Sequence, residues 1–264
     1  MRSGVAPFSA RSPRVVAARR LSRRRLRDQT GLFLAEGPQA VREAAGHLVE
    51  LFGTAEGLKT HADAVRAAGD APVWTVTDAA LEALAETVHP QGLVAVCRQL
   101  DVTLQQAIAT RPGLVAVLCA VRDPGNAGTV LRTADAAGAG AVVFAGDAVD
   151  PYNGKAVRAS AGSLFHVDVV RTADPLEVVA VLRRAGYTVL AADGHGPVAL
   201  PDAPLRPPTA WLFGSEAHGL PAEVADAADT RVRVPIHGRA ESLNLAAAAA
   251  VCLYASAGAG MAHP

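Results

Sequence analysis

The stretch Pro112-Gly113-Leu114-Val115-Ala116-Val117-Leu118-Cys119-Ala120-Val121-Arg122-Asp123-Pro124-Gly125-Asn126 decides how the chain must fold. From Leu114 to Val121 every residue is apolar, with no alternation. A strand with one wet face would alternate, whereas a continuous apolar run suits a strand buried on both faces of a parallel sheet. Pro112-Gly113 and Asp123-Pro124-Gly125 punctuate it at both ends. Downstream the pattern repeats. A helix is expected over Ala127–Ala137, a strand over Ala141–Ala145, and a loop with a short helix over Gly154–Gly162. Strand His166–Val170, helix Pro175–Ala185, and strands Tyr187–Ala191 and Thr209–Phe213 follow. A Pro-rich loop, Pro197–Pro208, interrupts them. Strand Arg231–Val234 then leads through a polar loop to a final helix of small and apolar residues. Alternation of this kind specifies an α/β fold with a parallel sheet.

The first 100 residues show the same alternation on a smaller scale. Val15, Val16, Leu21 and Leu26 recur at roughly helical spacing from Pro13 to Arg27. Gly31 breaks that pattern before a short strand, Leu32–Ala35. A helix from Pro38 to His47, strand Val49–Phe52, helix Lys59–Ala68 and strand Val73–Val76 come next. Asp78 is expected to cap a helix through Ala85, and Leu93–Cys97 is a further strand. The chain therefore divides into a flexible basic tail (1–12), a small α/β domain (13–100), a linker (101–112) and a larger α/β domain (113–264).

Composition narrows the function. Half of the residues are hydrophobic and aromatics make up only 4%, so the core is built from close-packed aliphatic side chains. No apolar run reaches the ~18–20 residues of a membrane span, and no secretory signal is visible at the N-terminus. Cys97, Cys119 and Cys252 are odd in number and lack CxxC pairing, which suits a reducing cytoplasm. The eight histidines show no metal-ligand spacing. The net charge of zero conceals a strong asymmetry. The first 30 residues carry nine arginines and a single acid, Asp28, so a charge of +8 there is balanced by −8 over the rest. Concentrated arginine is the electrostatic footprint of a polyanion partner.

Three polar loops fall at the carboxyl ends of expected strands, where ligands bind in open parallel sheets. The first enters a helix with Asn126 and carries Arg132 six positions on. The second is Gly214-Ser215-Glu216-Ala217-His218-Gly219, in which Glu216 is the lone acid and the glycines permit close backbone approach. The third is Val234-Pro235-Ile236-His237-Gly238-Arg239-Ala240-Glu241-Ser242-Leu243-Asn244-Leu245. Asn126, Ser242 and Asn244 lie where helices begin, so each could be a cap or a ligand contact. The residues alone leave both readings open. No dinucleotide fingerprint, phosphate loop or nucleophile elbow is present.

In this order and spacing, Asn126 with Arg132, Gly214-x-Glu216-x-x-Gly219, and Pro235 with Ser242-Leu243-Asn244 resemble the three signature motifs of the SpoU (TrmH) branch of the SPOUT RNA methyltransferases. The resemblance spans about Leu114 to Ser256. The first 100 residues are similar to the L30e-like RNA-binding domain of many members. They share its basic helix, Phe33-Leu34-Ala35-Glu36-Gly37, and Thr87-Val88-His89-Pro90-Gln91-Gly92-Leu93-Val94-Ala95-Val96. The resemblance implies a parallel sheet whose C-terminal segment threads a deep trefoil knot. It implies S-adenosylmethionine bound near Leu212, Phe213, Gly214 and Gly219, near Val234 and Ile236, and near Leu243 and Leu245. It implies Arg132 as the catalytic arginine, with Asn126, Glu216, Ser242 and Asn244 orienting it, the ribose and the cofactor. It places Arg19, Arg20, Arg23, Arg24 and Arg25 on RNA phosphates, with Lys155 and Arg158 as further contacts. The implied reaction is methylation of a ribose 2′-hydroxyl, in 23S ribosomal RNA by preference, by a homodimer joined through the final helix. A tRNA substrate and a non-catalytic ribosome-assembly role are the alternatives.

Overall fold

The computed structural model describes residues 6–110 and 112–261, and these form two compact units. The first contains residues up to Gln99 together with Tyr152–Phe165; the second contains Leu100–Pro151 and everything from His166 onward. The division does not follow contiguous halves of the sequence, because the chain returns to the first unit for a short segment.

In the first unit, helices α1 (Pro13–Arg19) and α2 (Arg24–Thr30) precede strand β1 (Leu32–Glu36). Helix α3 (Gly37–Glu43), strand β2 (Leu48–Gly53), helices α4 (Ala55–Thr60) and α5 (Ala62–Ala67), strand β3 (Val73–Thr75), helix α6 (Asp78–Leu84) and strand β4 (Leu93–Arg98) follow. The sheet order is β1-β4-β2-β3, with β4 antiparallel to both neighbours and β2 parallel to β3. Val15, Leu21, Leu34, Phe52, Leu81 and Val94 share one apolar cluster on its face.

Several details differ from the sequence reading for identifiable reasons. Residues 1–5 of the expected tail lie outside the described residues. Residues 6–12 are not a loose tail: Phe8 N–H donates to Thr75 O at 2.9 Å, and Phe8 O accepts from Thr77 N at 3.0 Å. The helix expected over Pro13–Arg27 breaks at Arg20–Ser22, a 3-10 turn. Arg27 stabilises that corner. Its guanidinium is only 3% exposed and Nη1 donates to Leu21 O at 2.9 Å and Ser22 O at 2.8 Å. Gly31, at φ +66°, closes α2 in the left-handed conformation that glycine adopts without penalty. The cap of α6 is Thr77, whose Oγ1 accepts from Ala80 N at 3.2 Å; Asp78 is the first helical residue.

The second unit opens with helix α7 (Leu104–Ala109), inside the expected linker. Thr103 and Gln106 form a reciprocal capping box, and Leu104 and Ala107 are buried in the unit's core, so this segment is structural. Strand β5 (Leu114–Cys119), helix α8 (Pro124–Ala136) and strand β6 (Ala141–Ala145) follow. The chain then visits the first unit through helix α9 (Gly154–Ser160). It returns with strand β7 (Asp168–Thr172), helix α10 (Pro175–Arg184), strands β8 (Thr188–Ala192), β9 (Val198–Ala199) and β10 (Thr209–Phe213), helix α11 (Ala222–Ala227), strand β11 (Thr230–Arg233) and helix α12 (Leu245–Met261). The seven strands run in the order β7-β6-β5-β10-β8-β11-β9, and every pairing is parallel. All carboxyl ends therefore share one edge. β5 and β10 are buried at every position, as the unalternating run predicts. β9, hidden in the Pro-rich loop, has no signature of its own because it holds only two residues.

The visit to the first unit is fixed by aromatic contacts and a carboxylate. The Phe33 ring lies 4.8 Å from Tyr152 and 6.0 Å from Phe165, centroid to centroid. Arg158 Nη1 donates to Glu36 Oε1 at 3.1 Å and to Glu86 Oε2 at 3.3 Å. Cys97, Cys119 and Cys252 are buried free thiols, and burial pushes each up to about 12. They are inert packing residues in this setting.

Helix α12 is anchored to the sheet by one buried polar contact. Trp211 Nε1, on fully buried β10, donates to Ser256 Oγ at 2.8 Å. Ser256→Ala leaves that N–H unpaired and is expected to cost about 1–3 kcal/mol. The measurement is a downward shift of the melting temperature by scanning calorimetry; an unchanged melting temperature would show that the bond contributes nothing.

Candidate active site

The three polar loops converge at the carboxyl edge of the second unit's sheet. Their side chains form a continuous hydrogen-bonded relay. Asn126 Nδ2 donates to Glu216 Oε1 at 2.9 Å. Asn244 Nδ2 donates to Asn126 Oδ1 at 3.1 Å. Asn244 Oδ1 in turn accepts from Ala246 N at 2.9 Å and Ala247 N at 3.4 Å, the first free donors of α12. The chemistry fixes the direction of every amide. An ionised carboxylate only accepts, so the Asn126 NH₂ must face Glu216. That leaves the Asn126 oxygen for Asn244, whose own oxygen is left for the helix.

Local sequence explains why each residue is available. Asn126 is not the cap of α8. Asp123 takes that role, its Oδ1 accepting from Asn126 N at 2.8 Å, and this releases the Asn126 side chain for the relay. Asn244 is both cap and relay member, so the two readings of this residue were not exclusive. Ser242 is exposed beside it. Glu216 sits on a tight turn closed by Ser215 N to Gly219 O at 3.0 Å and Gly219 N to Ser215 O at 2.9 Å. Gly214 has no substitute here, because a Cβ would lie 2.0 Å from the Gly219 carbonyl carbon.

A cleft of about 860 Å³ opens along the loops that follow β8, β10 and β11. Phe213, Gly214, Gly219, Val234, Ile236, Leu243 and Leu245 line it, as do Glu216, Ser242 and Asn244. Leu212 does not; its side chain points into the core at 0% exposure. Ile236 and Leu243 are each 39% exposed, which gives the cleft an apolar wall. Such a wall suits a purine, and the polar groups opposite suit hydroxyl and amino groups. The lining therefore fits S-adenosylmethionine.

Sequence reading passed over one wall of this cleft. Asp193, Gly194 and His195, after β8, also line it. Arg231 clamps Asp193, with Nε to Oδ2 at 2.9 Å, and also reaches Asp226 at 3.3 Å. Arg233 Nη1 holds Gly196 O at 2.8 Å and Pro197 O at 2.6 Å. Partial burial alone would raise the Asp193 carboxyl. The His195 N–H and the Arg231 guanidinium outweigh it and hold the group below its ordinary value. This contribution to stability is present above the ordinary carboxylate range and lost as pH falls through the lowered value. Its signal was an ordinary Asp-Gly-His-Gly loop with no motif character.

Arg132 is exposed and outside the cleft lining of its own chain, with no side-chain ion pair among the described residues. Lys155 and Arg158 belong to the first unit. Lys155 is exposed, whereas Arg158 is engaged by Glu36 and Glu86. Arg19, Arg20, Arg23, Arg24 and Arg25 are all exposed on α1, α2 and the turn between them. Arg14 and Arg27 are not part of that surface. Arg14 pairs with Glu50 at 2.6 Å and lies 4.3 Å from the Trp74 ring centroid, and Arg27 is buried. Among the described residues no His/Cys/Asp/Glu group could hold a metal ion, and no helix is long and apolar enough to cross a membrane.

Fold and cleft together define an α/β enzyme built to hold a nucleoside-sized ligand beyond the carboxyl ends of a parallel sheet. Residues 113–254 match the SpoU rRNA methylase family, and residues 12–95 match the MRM3-like substrate binding domain. The chain is 34% identical to the 23S rRNA (guanosine(2553)-2′-O)-methyltransferase RlmP of Bacillus subtilis, over 93% of this chain and 96% of that one. Among solved structures it resembles the SpoU methyltransferase AviRb of Streptomyces viridochromogenes in complex with the cofactor AdoMet. The TM-score is 0.84, with 30% identity over 94% of this chain and 98% of that one. An AdoMet-bound rRNA methyltransferase from Sinorhizobium meliloti matches with a TM-score of 0.82 and 32% identity, over 93% and 94% of the two chains. The chain belongs to the SpoU family of S-adenosylmethionine-dependent RNA 2′-O-methyltransferases.

The relay makes a directional prediction. Asn126→Asp sets a carboxylate against Glu216, so it is expected to lower methyl transfer at neutral pH more than Asn126→Ala does. Activity of the Asp variant should partly recover toward pH 5, where one shared proton restores the bond. Equal activities of the two variants across that range would contradict the relay.

Proposed function

We propose that this enzyme methylates a ribose 2′-hydroxyl in 23S ribosomal RNA, in the cytoplasm. The observation that carries the proposal is the relay Glu216–Asn126–Asn244 standing beside the cleft. It brings all three motif loops into one polar constellation. The printed activity of the Bacillus subtilis relative supports the choice of RNA and of hydroxyl.

Bound S-adenosylmethionine supplies a methyl group on a sulfonium, which is already a good electrophile. The chain must therefore position a ribose oxygen and bias it toward attack. The relay holds Glu216 and Asn244 at fixed angles, with Ser242 as a further hydrogen-bonding group at the cleft edge. Arg132 is assigned to the RNA. A guanidinium keeps its proton, with a pKa above ~12, and offers a planar fork of donors that matches a phosphate. Its role here is to grip the phosphate next to the target ribose and to orient and polarise the 2′-oxygen. Because Arg132 does not line its own chain's cleft, the working enzyme is proposed to be a homodimer in which a second copy completes the site. Helix α12 would form the interface: Ala247, Val251, Tyr254 and Gly258 are exposed at spacings that share one face. A trefoil knot formed by the segment after β10 belongs to the same proposal. The exposed arginines of α1 and α2 would track RNA phosphates, as would Lys155 on α9. Arg158 is better placed to hold α9 than to bind RNA.

Arg132→Ala is expected to lower methyl transfer by about 10²–10³-fold, the usual cost of removing one charge-stabilising donor. Binding of S-adenosylmethionine, measured by titration calorimetry, should be unchanged. Equal loss of cofactor binding would count against the assignment. Mapping 2′-O-methyl sites in total RNA with and without the enzyme tests the substrate: a missing mark confined to tRNA would overturn 23S rRNA.

A further inference from the structure

The first unit contains a second concavity, of about 430 Å³, that the reaction does not use. It lies between the loop after β2, helix α6 and the segment leading into β4. Its walls present acceptors and imidazoles: Glu56, His61, Glu82, His89 and Gln91 all line it. Its floor is bare backbone. Gly57 and Gly92 meet so closely that a Cβ on Gly57 would lie 2.4 Å from Gly92 O, and one on Gly92 would lie 2.7 Å from Gly57 Cα. At the rim, Val88 is 86% exposed, by a wide margin the most exposed large apolar residue described.

The rim is held in place rather than left to drift. Glu36, whose side chain is 8% exposed, accepts from Glu86 N at 2.7 Å, Thr87 Oγ1 at 3.1 Å and Arg158 Nη1 at 3.1 Å. One buried carboxylate thus fixes the residues immediately before Val88 and His89. An apolar group held out in water beside a polar, acceptor-rich cavity suits a flat ligand that packs one face and donates hydrogen bonds from its edge.

We infer that this cavity receives an unpaired RNA base and reads it through base donors, while the arginines of α1 and α2 hold the phosphates. The inference rests on the proposed RNA substrate and adds a base-reading site to it. Charge argues for a base over a phosphate. Glu56 and Glu82 would repel a phosphate but accept from exocyclic amino groups, as carboxylates do from cytosine N4. Phosphate contacts position an RNA without reading it, so a separate base contact is what confers selectivity. The size lies within the range of small-ligand pockets. Helix α6 contributes Leu81 and Glu82 to the cavity and packs against α1 on another side, so phosphate and base contacts are offered by adjoining elements of one unit.

The test exploits a difference of sign. The full-length wild type and a Glu56→Ala/Glu82→Ala double variant are titrated with short single-stranded oligonucleotides of A, C, G or U alone, at several salt concentrations. Wild type should prefer one or more of the amino-bearing bases over U. The variant should lose about ten-fold in affinity for the preferred oligomer, the scale of one base-edge contact, and its salt slope should not change. Simple electrostatics gives the opposite result, because removing two acids tightens binding to any polyanion. Uniform tightening on all four oligomers, no change on any, or no base preference in wild type would each overturn the base-reading site. Methyl transfer to total ribosomal RNA by wild type is measured in parallel. Its absence would fail the proposed function itself, whereas normal methylation with an unresponsive base preference fails only the cavity.

Discussion

The bond between Asn126 and Glu216 is the constraint on which the catalytic unit turns. It joins the loop after β5 to the loop after β10, residues separated by 90 positions in sequence. A carboxylate can only accept and an amide has one donor end and one acceptor end, so the bond sets a polarity that passes through Asn244 into the start of α12. The last helix is therefore tied to the site by its first turn and to the sheet by Trp211 and Ser256. A small displacement of α12 would misalign both. This is how a helix of alanine and glycine, with no polar side chain other than Tyr254 and Ser256, can still bear on catalysis.

In the first unit, the arginines divide into those that build and those that face solvent. Arg27 satisfies two carbonyls at the corner between α1 and α2, and Arg14 is held between Glu50 and the Trp74 ring. Burying a guanidinium is costly unless its donors are met, which is why Arg27 lies where two carbonyls converge. The corner it stabilises directs the exposed arginines outward. A net charge of +8 over the first 30 residues overstates the surface available to RNA, since two of those charges are already committed to the fold.

Much of this architecture is legible in sequence. β6 and β10 begin and end where the apolar pattern places them, because a strand buried on both faces between turn residues has little latitude. Helix α8 begins at Pro124 rather than Ala127, since Asp123 and not Asn126 provides the cap; which of several polar residues caps a helix depends on side-chain geometry that spacing does not encode. The motif residues Asn126, Glu216 and Asn244 could be named in advance, but their mutual bonds could not, because they arise from the order of strands in the sheet. The Asp193–His195 wall was invisible for the same reason: β8 lies beside β10 and β11 only once the sheet is assembled. The segment around α9 was assigned to the wrong unit by contiguity. Nothing in its own composition announces that Tyr152 and Phe165 will flank Phe33.

That excursion has a consequence for how the chain is made. Domains generally fold as units, the N-terminal one first, while synthesis proceeds at roughly 5–20 residues per second. Here the first unit cannot be finished in that order. When Gln99 leaves the ribosome, Phe33 still lacks both ring partners and Glu36 lacks Arg158, and a buried carboxylate without its counter-charge is unfavourable. Completion waits until Phe165 has emerged, by which time β5, α8 and β6 have also been synthesised. The two units are thus obliged to mature together, and neither can be removed at a single cut without leaving a piece of itself in the other.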